Sequence, residues 1–155
     1  MSIAIEQLRN RYQEAVTDRE EADALWRKLK RQSSQEALPL AYQASTRVLQ
    51  ANFTLMPLSK LAYLKEAMKL FRQAVKLDPE NIEIRFLRYS IQYNLPRYLH
   101  ESGDMSEDKA VIFRNLASFQ RFHLDTQHLQ SFLNFFEQHQ LISEPERAQL
   151  QSLIS

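Results

Sequence analysis

Glycine occurs once in 155 residues, at Gly103, and that scarcity decides most of what the chain can become. Tight hairpins usually place glycine at positive φ, so a strand-rich fold is disfavoured. Phosphate and nucleotide chemistry written in glycine-rich loops is excluded for the same reason, because one glycine cannot build a P-loop, a Rossmann turn or a nucleophile elbow. What remains is a helical chain. With 44% apolar and 25% charged residues it carries enough apolar side chain for a packed core, and its length suits one domain. Lys and Arg total 20 against 19 Asp and Glu, so any ionic partner must be met by a local patch rather than by a bulk field.

Cysteine is absent, which removes disulfides, thiol nucleophiles and thiolate metal sites. The first nine residues contain both signs of charge and no apolar h-region, and no run approaches the ~18 apolar residues of a membrane helix. These features point to a cytoplasmic protein without a membrane span.

Apolar residues recur at spacings of three and four from end to end, which predicts seven or eight antiparallel helices. The first covers Ile5 to Val16, with Leu8, Tyr12, Ala15 and Val16 on one face. Thr17 with Glu20 reads as a capping box for a second helix from Asp18 to Gln32, its face carrying Ala22, Leu25, Trp26 and Leu29. Ser33 with Glu36 reads as another, opening a third helix that runs to Asn52 through Leu38, Tyr42, Ser45 and Leu49. After a linker at Pro57, a fourth spans Leu58 to Leu77. Asp78-Pro79 starts a fifth, to Asn94, apolar over much of its circumference and therefore central. Asp104 with Glu107, or Ser106 alone, caps a sixth through Phe122; Asp125 caps a seventh, Thr126 to His139; Ser143 with Glu146 caps the last, which ends at Ile154.

Within the fourth helix and just beyond it, Ala67, Phe71, Ala74 and Pro79 stand at intervals of four, three and five. Small residues let paired helices approach, the ring fills the space beside them and the proline ends the run. This pattern resembles the second-helix signature of a tetratricopeptide repeat, most clearly over 38–94. The first-helix signature is missing, displaced by the Pro57 linker, so the likeness is to a degenerate member. The resemblance implies a right-handed array of helices, no cofactor, and a groove that binds a protein or peptide partner. The stretch Asn81 to Pro96, with Glu107-Asp108-Lys109, also resembles a group of small bacterial proteins of the Bacteroidetes type, which implies a fold and a source but no activity.

The polar residues that stand out lie on the fifth helix. Asn81, Arg85, Arg88 and Gln92 are spaced four, three and four apart and share one face. Two guanidiniums one turn apart, flanked by amides, suit a carboxylate or phosphate in a groove. The alternative is internal: Arg85 and Arg88 pairing with Asp104, Glu107 or Asp108. A second patch, Trp26-Arg27-Lys28-Leu29-Lys30-Arg31, joins an aromatic to four cations and is a weaker candidate for nucleic acid or a membrane surface; the competing reading is a solvated face with Trp26 and Leu29 packed inward.

The four histidines form no paired metal motif, Asp125 and His128 give one DxxH pair where a carboxylate-bridged metal bundle needs two, so Asp125 reads as a helix cap, and the 104–108 run lacks the glycine and glutamate of a calcium loop. Nothing marks a serine as activated, so a hydrolase is a remote third reading. Phe135, off the core face of its helix, is the candidate for self-association. The sequence thus predicts a non-catalytic interaction module, with anion or nucleic-acid binding as the alternative.

Overall fold

A computed structural model describes residues 4–32 and 36–155. Among them are eight α-helices and no strand: α1 (Ile5–Ala15), α2 (Arg19–Arg31), α3 (Ala37–Phe53), α4 (Pro57–Leu77), α5 (Ile82–Tyr93), α6 (Asp104–Asn115), α7 (Thr126–Gln138) and α8 (Glu144–Ile154). Short 3-10 turns span Arg97–Leu99 and Leu116–Phe122. No helix among the described residues is long and apolar enough to cross a membrane.

The helix boundaries follow from capping chemistry, and several differ from the sequence reading. Asp18 caps α2, its carboxylate accepting the amides of Glu20 and Glu21; Thr17 does not take part, because the carboxylate one residue on meets the orphan amides directly. Ser33 lies outside the described residues, and α3 starts at Ala37 with no side-chain cap from Glu36. Pro57 is not a linker but the first residue of α4, where its missing N–H costs nothing. α5 begins three residues later than expected, because Asn81 rather than Asp78 is its cap. Gly103 at φ +84° precedes α6, so the left-handed residue sets that start and Asp104 falls inside the helix. α6 stops at Asn115, seven residues short of Phe122, where the chain tightens into the 3-10 turn with a kink at Ser118.

The predicted Asp125 cap of α7 and the predicted box at α8 both form. His128 adds a return bond that makes the α7 cap a box, the two bonds at 3.0 Å each, and Ser143 with Glu146 closes the box of α8.

α3 and α4 pack together through small residues. Ala41, Ala44 and Ala51 of α3 and Ala67 and Ala74 of α4 are all fully buried, with Phe71 enclosed beside them. Ser45 and Thr46, also buried, turn their hydroxyls onto the carbonyls of Ala41 and Tyr42, which removes the cost of unpaired donors at the seam. α5 touches α3, α4 and α6. Its other side enters an aromatic core in which Phe86 stacks on Phe132 at 4.1 Å and meets Phe136 edge-on. Phe135 closes on Phe86, Tyr93 and His139, so its ring is engaged inside the chain.

Candidate functional site

Two buried ionic clusters hold α5 in place, and one of them takes up the predicted Arg85/Arg88 stripe. Asp108, fully buried on α6, accepts from both arginines: from Arg85 Nη1 at 2.9 Å, and from Arg88 Nε and Nη2 at 2.8 and 2.7 Å. Glu107 adds a bond to Arg85 and Asp104 an ion pair to Arg88, while Arg85 Nε reaches the carbonyl of Pro79. Burial opposes the Arg88 charge, but hydrogen bonding and attraction to Asp108 outweigh it and raise its pKa. For Asp104 burial prevails over the nearby guanidinium and pushes the carboxyl up. The Arg85 hydrogen bond holds Glu107 below the usual range.

The four residues of the stripe therefore divide by role. Asn81 is the α5 cap, its Oδ1 accepting from the amides of Glu83 and Ile84. Arg85 and Arg88 are turned inward and neutralised. Gln92 is fully buried, and its side-chain amide has no hydrogen-bond partner among the described residues. The face they share is covered by neighbouring helices, so the internal alternative describes the two arginines.

The second cluster was not read from the sequence. Arg9 on α1 grips Glu83 on α5 through Nε and Nη2 at 3.0 and 2.7 Å, and Tyr42 on α3 donates its hydroxyl to the same carboxylate. Arg9 also donates to the carbonyl of His123 at 3.0 Å, tying the 3-10 segment to α1. Burial works against the Arg9 charge, and its bonds and attraction to Glu83 more than compensate, so its pKa rises. The one signal available was a charged residue beside an apolar stripe: Arg9 next to Leu8, and Glu83 between Ile82 and Ile84.

Tyr42 sits edge-on to Tyr12 at 5.4 Å. Burial pushes the Tyr12 phenol from 10.0 up to about 12; burial, then the negative charge of Glu83, raises Tyr42 further. The sign follows from linkage. Phenols that hold their protons longer when folded leave stability intact below pH 10, and stability falls as pH rises from there through the folded values, because the unfolded chain ionises first. Alkaline titration followed by tyrosinate absorbance should show Tyr12 and Tyr42 ionising last, together with loss of the helical signal. Ionisation of all six tyrosines near pH 10 with helix retained would contradict this placement.

In the second patch Trp26 and Leu29 pack inward, while Arg27, Lys30 and Arg31 stay exposed. Trp26 is buried, and the Arg47 guanidinium lies 4.0 Å from both its ring and that of Tyr63, held by Glu66 at 2.6 Å. The indole face that would stack on a base is occupied. Among the described residues no group of three His, Asp or Glu side chains could hold a metal ion.

The open feature is a trough along α4. Three adjoining clefts of about 440, 380 and 350 Å³ follow this helix. Arg72 is shared by the first two and Tyr98 by the second and third. Leu61, Leu64, Met68 and Val75 supply apolar lining from α4. The opposite wall is formed by Arg88 of α5 and by the chain from Asn94 to Glu107, including Glu101 and Asp104. Arg72 bridges the walls to Glu101 at 2.8 Å. No protein-family model matches this chain, and the searches of curated proteins and of solved structures likewise return no match.

Proposed function

We propose that this chain is a non-catalytic interaction module, a degenerate tetratricopeptide-like array of antiparallel helices that takes a protein or peptide segment in the trough beside α4. The trough is the observation that carries this reading. α4 is 21 residues long, about 30 Å at 1.5 Å per residue, and the adjoining clefts run beside it with a mixed lining of apolar and charged side chains. An extended peptide rises ~3.3 Å per residue, so roughly nine residues would fill it. The buried small-residue seam between α3 and α4 supports the repeat-like pairing. Tyr42 and Arg9 are turned inward against Glu83, away from the trough, which supports a structural role for that cluster. The cysteine-free composition suits a reducing compartment, and we assign the chain to the cytoplasm on that ground.

Tyr98, 77% exposed at the junction of two clefts, is the natural anchor for a bound segment. Peptides selected from a random display library on the purified protein should lose about tenfold in affinity, ~1.4 kcal/mol, on Tyr98→Ala, with the melting temperature unchanged. Selected peptides that bind Tyr98→Ala and Arg72→Ala as tightly as the parent, or a library that yields none, would remove the trough as a docking site.

A further inference from the structure

At the corner between α3 and α4 four consecutive apolar residues, Leu55-Met56-Pro57-Leu58, face solvent. Leu55 is 96%, Met56 64% and Leu58 83% exposed. Runs of this kind are absent from ordinary surfaces unless they have a use. Leu55, Met56 and Leu58 line none of the clefts beside α4, and apolar side chains this exposed fit a medium that can yield around them.

The charges nearby name that medium. Leu58, Lys65, Lys69, Arg72 and Lys76 recur at seven, four, three and four residues, a single face of α4. The one carboxylate on this helix, Glu66, is taken by Arg47. From 37 to 65 the chain contains no Asp or Glu at all. Among the described residues Arg72 alone in the row has a carboxylate, Glu101; Lys65, Lys69 and Lys76 are exposed and make no ion pair with a described residue. Across the trough Asp104 and Glu107 are already paired with Arg88 and Arg85. Like charges one turn apart repel, so the row is an uncompensated positive field leading away from an apolar tip.

We infer that this face of α4 docks on an anionic lipid bilayer, with Leu55, Met56 and Leu58 entering the interface and the lysine row lying over the headgroups. Apolar insertion combined with basic residues is the physical basis of peripheral binding to anionic membranes. A nucleic acid would use the cations but leave the exposed leucines without a role, and among the described residues Tyr98 is the single exposed ring beside the row on which a base could stack. Leu55, Met56 and Leu58 do not line the clefts, whereas Lys65, Lys69, Arg72 and Lys76 do, so the leucines are what distinguishes bilayer docking from peptide binding. The lysine row borders both surfaces, and the two occupants would exclude one another there.

The test is co-sedimentation of the full chain with vesicles of phosphatidylcholine alone and with about 30% phosphatidylserine added, an anionic surface of ordinary strength. Binding should require the anionic lipid and weaken as salt rises. It should fall about tenfold or more on Leu55→Ser/Leu58→Ser, which removes the apolar entry, and fall again on Lys65→Gln/Lys69→Gln, with thermal melts unchanged and with peptide affinity retained by the leucine variant. Absence of binding to both vesicle types overturns the proposal, as does equal binding to neutral vesicles or binding that survives loss of the leucines. An acidic peptide or a single-stranded oligonucleotide that holds the lysine row and is not displaced by anionic vesicles assigns the row elsewhere and also overturns it.

Discussion

Asp108→Ala should lower the melting temperature by about 6–20 °C. The carboxylate is fully buried and bonds two guanidiniums that are themselves enclosed. Removing one partner of a buried ion pair typically costs ~3–5 kcal/mol, and in a chain of this size each kcal/mol shifts the midpoint by about 2–4 °C. Asp108→Asn retains an oxygen acceptor of similar shape and should lose less. Replacing Arg85, Arg88 and Asp108 together by apolar residues of matching volume should recover much of the loss, because no buried charge is then left alone. A midpoint for Asp108→Ala within a degree of the parent, measured by calorimetry, would mean that Glu107, Asp104 and solvent suffice for both arginines. The same substitution should loosen the trough, since Asp104 and Glu107 stand on its wall and reach α5 through these arginines.

Glu83→Ala should be of similar severity, ~3–5 kcal/mol. It strands Arg9 and the Tyr42 hydroxyl in an interior where both are buried, and an orphaned buried donor bears its full desolvation cost. The loss should be local before it is global. Amide exchange should accelerate first in α1, whose side-chain tie to α5 is the Arg9–Glu83 pair, and in the 3-10 turn whose carbonyls Arg9 also meets. The combined variant Arg9→Met/Glu83→Leu/Tyr42→Phe should melt well above the single one. If Glu83→Ala alone leaves exchange in α1 unchanged, the cluster does not anchor that helix.

These two clusters also mark the limit of what local pattern can convey. Helix content was legible because capping and periodicity are short-range: Asp125 and Ser143 do what their neighbours imply, and Ala67, Phe71 and Ala74 lie buried at the seam their spacing suggested. Boundaries moved where two residues competed for one job, as Asp18 did with Thr17 and Asn81 with Asp78. The Arg85/Arg88 stripe was visible as a stripe, and its possible carboxylate partners were among those weighed. Its direction was not visible, because helical periodicity assigns residues to a face without saying what covers it. Asp108 carried a signal in its position on the apolar stripe with Val111 and Ile112: an acid there needs a cation from another helix. Arg9 and Glu83 are 74 positions apart, beyond the reach of any periodic pattern.

By itself the sequence determined an all-helical chain, because one glycine and a run of three-and-four apolar spacing leave the backbone no other way to satisfy its hydrogen bonds while burying its apolar side chains. It also determined the acid-free stretch and the lysine row, which are properties of order along the chain. Only the tertiary structure decided which charges are spent on one another and which face outward. Neutralisation depends on distance in space, and docking α6 against α5 encloses Arg85 and Arg88 while leaving Lys65, Lys69 and Lys76 on the open side of α4.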